Sequence, residues 1–284
     1  MENQFQPIGI FDSGYGGLTI LKEIVEHLPA YDFIYLGDNA RTPYGNRSFD
    51  VVYNYTLQAV KKLFDKGCWL IIMACNTASA KALRTIQQND LPKINPHKRV
   101  LGVIRPSVEA VEKFTKTGHI GVLATQGTVL SESYPMEIHK LFPEIITVQE
   151  SCPMWVPLVE YNEFNSNGAD FFVKKNIDNL LTKDKNIDVI ILGCTHYPLL
   201  LPKIQKYVPS HIKIISQGDI VAESLKDYLF RHPEINEQCS KNGTLKFYTT
   251  EAAETFERQG GHFLNRPIKA KQIQLVEHID LTVS

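Results

Sequence analysis

The sequence lacks an excess of charge of either sign. Its 284 residues include 30 lysines and arginines against 31 aspartates and glutamates, a formal net charge of −1 at pH 7. Proteins that bind nucleic-acid phosphates or anionic membranes usually carry a basic surface, so neither partner is expected. The remaining composition, with 43% hydrophobic and 21% charged residues, is typical of a globular protein.

Long hydrophobic runs and an export signal are also missing. The longest apolar stretches, such as residues 69–75, are far shorter than a membrane-spanning helix, which needs about 20 residues. The opening MENQFQPIGIFDSG has neither the basic start nor the apolar segment of a secretory signal. Five cysteines, an odd number, occur in a chain long enough to fold without disulfides. We therefore expect a soluble cytoplasmic protein with free thiols.

Short apolar runs alternate with longer segments of helical periodicity, which predicts an α/β fold with parallel sheets. Strands are predicted over residues 8–11, 33–36, 70–74, 100–104, 120–124, 145–148, 189–192 and 212–215. Helices are predicted over residues 18–27, 49–66, 78–88, 107–114, 169–181 and 220–230, with Ser48 capping the second. Residues 88–99, with two prolines, are predicted to be a linker, and the polar tail after Cys239 is given no structure.

Two motifs occur twice in the sequence. The run IGIFDS at residues 8–13 is echoed by IGVLAT at residues 120–125, and LIIMACNT, which contains Cys75, by VIILGCTH, which contains Cys194. The two pairs are separated by similar distances along the chain. This similarity predicts two duplicated halves that face each other, and length alone favours two domains.

The two repeated cysteines are the strongest candidates for chemistry. Cys75 and Cys194 each end a predicted strand, follow a small residue and precede a predicted helix, a place where parallel sheets bind ligands. Nearby helix amides favour the thiolate, so lowered pKa values and a role as base or nucleophile are expected. A single free cysteine is more often a core residue, but two matched ones favour function. Cys68, Cys152 and Cys239 lack this setting and are expected to be structural.

Two loops after the first strands are candidate ligand loops. Residues 12–17 (DSGYGG) allow a close backbone approach, and the following helix amides would hold an anion such as a carboxylate. Their spacing matches neither a dinucleotide fingerprint nor a Walker loop, and a plain tight turn is the alternative. Residues 37–45 (GDNARTPYG) fit a substrate loop, with a surface turn between Asp38 and Arg41 as the alternative.

Two ionisable groups lie near these elements in sequence. His196 follows Cys194 closely and titrates near neutrality, so it is suited to proton exchange with the thiol. Glu160 lies in the motif CPMWVPLVE. Because CxxC and HxxxH pairs are missing, no metal site is expected.

Together the motifs DSGYGG, GDNARTPYG, ACNTAS, GVLAT, CPMWVPLVE and LGCTHYPLL resemble those of the glutamate racemases, cofactor-independent enzymes of the aspartate/glutamate racemase superfamily. The resemblance covers about residues 8–230 and rests mainly on the two cysteine motifs. It implies two pseudosymmetric α/β domains, each with a mainly parallel sheet flanked by helices, and an active site in the cleft between them. The first domain would comprise residues 1–98 plus 211–284, and the second residues 99–210.

The resemblance also implies an activity and its residues. The reaction would interconvert L- and D-glutamate without cofactor or metal and supply D-glutamate for peptidoglycan. Cys75 and Cys194 would be the catalytic residues, assisted by Asp12, Glu160 and His196. The groups expected to hold the substrate are Asp12, Ser13, Tyr44, Gly45, Asn76, Thr77, Thr195 and His196. Glutamate is the expected partner, together with a second copy of the chain in a homodimer.

Two other functions remain open at this point. An aspartate racemase or a related superfamily enzyme would differ by one methylene of substrate, which these motifs do not specify. A non-catalytic protein that closes two lobes on an amino acid is the alternative from another class, although such receptors usually carry an export signal. Two residues depart from the family pattern: Arg105 replaces a residue that is usually uncharged, and Asn265 a glycine.

Overall fold

The computed structural model describes residues 6–275. In this range the strands are β1 (Ile8–Asp12), β2 (Phe33–Gly37), β3 (Leu70–Met73), β4 (Arg99–Gly102), β5 (His119–Ala124), β6 (Ile146–Ser151), β7 (Val189–Gly193), β8 (Lys213–Ile215), β9 (Leu245–Thr249) and β10 (Ala270–Gln272).

The α-helices of the same range are α1 (Leu18–His27), α2 (Phe49–Asp65), α3 (Asn76–Lys81), α4 (Leu83–Thr85), α5 (Leu91–Ile94), α6 (Ile104–Val111), α7 (Gln126–Leu130), α8 (Ser133–Leu141), α9 (Trp155–Glu160), α10 (Asn167–Lys183), α11 (Leu201–Tyr207), α12 (Gln217–Arg231), α13 (Pro233–Asn236) and α14 (Ala253–Leu264). Two 3-10 turns cover Asn39–Arg41 and Tyr197–Leu200, and a π-helical segment covers Ile86–Asp90. Among the helices of residues 6–275, none combines the length and the apolar character that a membrane crossing requires.

The strands form two parallel sheets. Their orders are β10-β9-β2-β1-β3-β4 in the first sheet and β6-β5-β7-β8 in the second. The order β2-β1-β3-β4 therefore recurs as β6-β5-β7-β8, so that β1 corresponds to β5, and β3 to β7. This correspondence matches the two sequence motifs that occur twice, and it confirms the predicted α/β fold with two equivalent halves.

Both faces of each sheet are covered, as expected for parallel strands made of continuous apolar runs. In β1, Ile8 and Ile10 belong to the core on one face, while Phe11 belongs to the core on the other. In β5, Val122 and Leu123 divide in the same way between two further core clusters. Successive side chains of a strand point to opposite faces, which places helices on both sides and leaves the strand ends for a site.

Several predictions of secondary structure need correction. The predicted linker over residues 88–99 is helical as far as Ile94, because Pro92 lies in the first turn of α5, where no amide is needed. The helix predicted over residues 107–114 begins at Ile104 and ends at Val111. The tail after Cys239 forms β9, α14 and β10, and β9 and β10 extend the first sheet beyond β2. The predicted cap Ser48 does accept the Val51 amide of α2.

The pairing of two short strands bears on the proposed domain boundaries. β4 pairs with β3 in the first sheet, and β8 pairs with β7 in the second. The predicted boundaries would assign β4 to the second domain, which begins at residue 99, and β8 to the first domain, which resumes at residue 211. The chain thus leaves the first sheet after Gly102 and leaves the second after Ile215. The division into two domains stays a prediction. Strand pairing places its boundaries after Gly102 and after Ile215.

The two departures from the family pattern have simple structural roles. Asn265 follows α14 in the left-handed conformation with φ of 52°, where asparagine is the usual substitute for glycine. Arg105 forms ion pairs with Glu109 at 2.7 Å and with Glu137 at 2.9 Å, and thereby links α6 to α8. Neither residue lines the cavity described below.

A buried carboxylate attaches the tail to the first sheet. Asp32 accepts hydrogen bonds from the Thr244 amide at 2.8 Å and from Asn242 Nδ2 at 2.7 Å, immediately before β9. Burial raises the pKa of Asp32, but hydrogen bonds from Ser240, Thr244 and Asn242 outweigh burial and lower the pKa to about 2. The ionised carboxylate therefore stabilises the junction between β9 and the rest of the sheet.

We expect Asp32→Asn to lower the free energy of unfolding at pH 7 by about 2 kcal/mol. This is the free energy that corresponds to lowering the pKa of Asp32 from 3.8 to about 2 on folding. Because the pKa is lower in the folded state, the contribution is complete above pH 3.8 and is lost as the pH falls toward 2. Urea unfolding at several pH values measures it. The difference between wild type and variant should shrink on acidification; a constant difference would contradict this account.

Candidate functional site

Residues that follow strands of both sheets line a cavity of about 240 Å³. They lie after β1, β2, β3, β5, β6 and β7, at the carboxyl ends of the strands, where parallel sheets bind ligands. Nine of the residues expected from the sequence line this cavity: Ser13, Tyr44, Gly45, Cys75, Asn76, Thr77, Cys194, Thr195 and His196. Asp12 and Glu160 lie behind its wall.

Cys75 and Cys194 follow the corresponding strands β3 and β7, and both line the cavity. Cys75 caps α3: its Sγ accepts the Ala78 amide at 3.4 Å and lies 3.4 Å from Ser13 Oγ. The Sγ of Cys194 lies 3.8 Å from His196 Nδ1. The two settings differ, because Cys194 precedes only a 3-10 turn rather than the α-helix predicted from the sequence.

The environment of Cys75 corrects one expectation. Burial raises the pKa of the Cys75 thiol to about 12, and the Asp12 carboxylate adds to the rise. Hydrogen bonds from Ser13 and from the Ala78 amide oppose this rise but are weaker. The expected lowering by the helix is therefore wrong for Cys75, because one amide contact does not replace the hydration that a thiolate loses. Burial and Asp12 therefore favour the thiol form of Cys75, which is the form that a proton donor needs.

His196 connects Cys194 to Glu160. Its Nε2 lies 3.1 Å from Glu160 Oε1, and its Nδ1 faces the sulfur. Burial lowers the pKa of His196, but the contacts with Cys194 and Glu160 outweigh burial and hold the pKa well above 6.5. A protonated imidazole donates from both nitrogens, so His196 can donate to the carboxylate and to the sulfur at once.

Asp12 is buried, with one carboxylate oxygen lacking a partner. Its Oδ2 accepts the Gly14 amide at 2.9 Å and lies 3.5 Å from the Tyr35 hydroxyl, whereas Oδ1 has no hydrogen bond. Burial raises the pKa of Asp12, and the charge of His196 opposes the rise. An unsatisfied buried oxygen costs about 1–3 kcal/mol, a cost that functional sites often carry.

The glycines of residues 12–17 bring the two halves together and do not cradle an anion. A Cβ on Gly16 would lie 2.3 Å from His196 Nδ1 and 2.5 Å from Thr195 Oγ1, so only glycine fits there. The first amides of α1 donate to carbonyls within the same loop. No glycine of this loop lines the cavity. The predicted anion-binding role of these glycines and helix amides is therefore wrong.

The second candidate loop, residues 37–45, contributes Tyr44 and Gly45 to the cavity wall. Asp38 is fully buried and accepts hydrogen bonds from Arg41 Nε at 2.7 Å and from the Tyr44 hydroxyl at 2.5 Å. The contact between Asp38 and Arg41 exists, but it is a buried brace and not the surface turn considered as the alternative. The brace fixes the Tyr44 ring next to the cavity.

Two residues of the cavity wall, Thr125 and Cys152, were not predicted from the sequence to lie at the site. Thr125 follows β5, lines the cavity, and its Oγ1 lies 2.9 Å from Thr77 Oγ1. The internal repeat carries the signal, because it aligns Thr125 with Ser13. Cys152 is buried in the same wall, after β6. The other lining residues that were not expected are Thr42, Pro43, Asn46, Gln126, Pro153, Val156 and Pro157.

The fold and the cavity define a class of enzyme in which two equivalent α/β halves contribute matched thiols, Cys75 and Cys194, to a shared site. Residues 8–225 match the family described as Asp/Glu/Hydantoin racemase, and the chain belongs to this family of amino-acid racemases. It is 39% identical over 274 residues to the glutamate racemase of Streptococcus agalactiae, covering 95% of this chain and 99% of that one.

Solved structures give the same result. The glutamate racemase RacE1 of Bacillus anthracis superposes with a TM-score of 0.86 at 34% identity, covering 95% of this chain and 98% of that chain. The glutamate racemase of Francisella tularensis, solved in complex with D-glutamate, superposes with a TM-score of 0.84 at 34% identity and the same coverage. The predicted resemblance to glutamate racemases is thus confirmed over nearly the whole chain.

Proposed function

We propose that the protein interconverts L- and D-glutamate by a two-thiol mechanism that needs no cofactor. The observation that carries the proposal is that Cys75 and Cys194, from equivalent strands of the two sheets, line one cavity. To invert Cα, a proton must leave one face while another arrives at the opposite face. Two thiols on opposed halves meet this requirement. The choice of glutamate follows the names of the similar proteins.

Each turnover comprises two proton transfers. One cysteine thiolate takes the Cα proton and becomes a thiol, while the electron pair of the broken C–H bond spreads into the carboxylate. The opposite thiol then donates its proton to the other face of Cα and becomes the thiolate. No redox equivalent is consumed, and the two sulfurs have exchanged protonation states. By the resemblance, Cys75 is the base for D-glutamate and Cys194 the base for L-glutamate.

Charged groups next to each thiol control where the proton lies. Asp12 disfavours negative charge on Cys75. On the other side, His196 contacts Cys194 and is held in its protonated form by Glu160. In the proposed mechanism Asp12, Glu160 and His196 therefore assist the two proton transfers without forming bonds to Cα.

The polar lining of the cavity holds the substrate in this proposal. The lining residues assigned to its amino and carboxylate groups are Ser13, Tyr44, Gly45, Asn76, Thr77, Thr195 and His196, and the structure adds Thr125. Asp12, assigned to the same role from the sequence, does not line the cavity and would act from behind its wall. Hydroxyl and amide donors placed in advance stabilise the negative charge that develops on the carboxylate during deprotonation. Closure of the two halves around the substrate would exclude water from a weakly acidic Cα.

Incubation with L-glutamate in deuterated water tests the proposal. We expect deuterium to enter Cα, detected by loss of the Cα proton signal in NMR, while the optical rotation falls to zero. Parallel incubation with aspartate determines the substrate. Absence of exchange at high protein concentration would contradict racemisation, and faster exchange of aspartate would assign the related activity instead.

We further propose that the product D-glutamate is used for peptidoglycan, so that the protein serves cell-wall biogenesis and cell shape from the cytoplasm. The family resemblance supports this role, and it also supports a homodimer. Light scattering of the purified protein measures the oligomeric state directly, and a mass equal to the 32.2 kDa chain would contradict the dimer.

A further inference from the structure

Asn76 lines the cavity and is held from behind by a closed ring of three hydrogen bonds. Asn76 Nδ2 donates to Gln217 Oε1 at 2.6 Å, Gln217 Nε2 donates to the Tyr134 hydroxyl at 2.9 Å, and that hydroxyl donates to Asn76 Oδ1 at 2.8 Å. Each member donates once and accepts once. This order fixes the orientation of the Asn76 amide, because exchanging its oxygen and nitrogen would break two of the three bonds.

The ring is buried and anchored from a third direction. Asn76 and Gln217 are 2% exposed, and Tyr134 is fully buried. Gln217 Nε2 also lies 2.7 Å from Ser107 Oγ and 3.1 Å from the Val103 carbonyl, both beside or within α6, so its two hydrogens are shared among three acceptors. Residues from α3, α8 and α12 therefore meet at one amide. A buried network in which every member is satisfied restricts its side chains more strongly than separate hydrogen bonds do.

The geometry leaves one donor of Asn76 for a ligand. The amide nitrogen carries two hydrogens, and Gln217 accepts one of them. Asn76 lines the cavity directly after Cys75, so a group bound to its other N–H lies beside that thiol. The mechanism described above uses Asn76 to hold the substrate but gives no role to Gln217 or Tyr134, neither of which lines the cavity.

We propose that Gln217 and Tyr134 are positioning residues that hold the Asn76 amide with its remaining N–H directed at the substrate. This inference rests on the proposed function, because it concerns the same site. The alternative is that the ring only stabilises the fold. The two roles make different predictions. If the ring positions Asn76, its effect on substrate binding requires the Asn76 amide. If the ring only stabilises the fold, its effect does not depend on what Asn76 binds.

Tyr134→Phe provides the first test, since it removes one hydroxyl and leaves Gln217 its acceptors Ser107 and Val103. We expect KM for both hands of glutamate to rise by about tenfold and kcat to change by less than about twofold, the pattern of a lost binding contact. Tyr31→Phe is the matched control, because the Tyr31 hydroxyl also donates to an asparagine Oδ1, that of Asn236, at 2.8 Å. Its KM should be unchanged.

A double-mutant cycle with Asn76→Ala separates the two roles. Once the amide is gone there is nothing to position, so Tyr134→Phe should change KM by less than about twofold in this background. The same applies to Gln217→Met, which keeps the volume of the side chain and serves if Tyr134→Phe folds poorly. An equal rise in KM with and without Asn76, or an unchanged KM in the wild-type background, would overturn the inference.

Failure of the proposed function is recognised separately. If the wild-type protein shows no deuterium exchange at Cα, racemisation is contradicted. The dissociation constant for D-glutamate, measured by calorimetry on the same variants, then replaces KM in the cycle and still decides the role of Gln217 and Tyr134.

Discussion

Cys75→Ala and Cys194→Ala are each expected to reduce the racemisation of glutamate by at least about 10³-fold in both directions, within the range of acid–base groups. In the proposed mechanism, each thiol is the base for one hand of the substrate and the acid for the other. Losing either one therefore blocks both directions, unlike the loss of a group that only binds one enantiomer. Initial rates with L- and D-glutamate, followed by circular dichroism, measure both effects.

The other buried thiols provide the control. Cys68 and Cys239 belong to the hydrophobic core and do not line the cavity. Replacing either by alanine should lower stability while leaving kcat/KM within about twofold of wild type, because core truncation affects folding rather than the site. Substantial turnover in a folded Cys75 or Cys194 variant would contradict the two-thiol mechanism.

Gly16→Ala is expected to lower kcat/KM by about 10²-fold or more, because misplacing catalytic groups by about 1 Å has effects of this size. The new Cβ would lie 2.3 Å from His196 Nδ1, closer than any real contact, so the His196 ring or the glycine loop must shift. We expect a fall in kcat larger than any rise in KM. Stability should fall by about 1–3 kcal/mol, as in other overpacked sites.

Gly168→Ala is the control for Gly16→Ala. It tests whether the loss of activity comes from the contact with His196 or from replacing any glycine by alanine. A Cβ there would meet only Ser166 Oγ, at 3.5 Å, in the first turn of α10. Activity should stay within about twofold of wild type, and stability should stay equal or rise, because alanine favours helices. A Gly16→Ala enzyme with normal kcat would show that His196 is not required in its observed place.

Most of the fold could be predicted from the sequence wherever the strands are continuous apolar runs. β1, β3, β5 and β7 were predictable because burial on both faces leaves polar residues only at the strand ends, as Asp12 in β1 and His119 in β5. β9 and β10 were not, because both mix polar with apolar residues. β9 pairs with β2, which precedes it by about 200 residues in sequence, and such distant pairing leaves no local pattern.

The site was predictable to the same extent and for a related reason. Residues at the ends of apolar strands, such as Cys75 and Cys194, can be located because parallel strands point their carboxyl ends at one edge. The ring around Asn76 has no such signal, because Gln217 reaches it from a helix 141 residues further along the chain. The raised pKa of Cys75 likewise depends on burial and on Asp12, neither of which follows from local sequence.

The two passages of the chain between the sheets have a mechanical consequence. The residues next to them, Val103 after β4 and Gln217 after β8, are hydrogen-bonded to each other at 3.1 Å, and α6 packs against α12. A single connection would act as a tether and let one half twist freely. Two adjacent connections act as a hinge that leaves rotation about one axis. In the proposed mechanism, closure about this axis brings Cys75 and Cys194 back to the same relative position, on opposite sides of the substrate Cα, in every turnover.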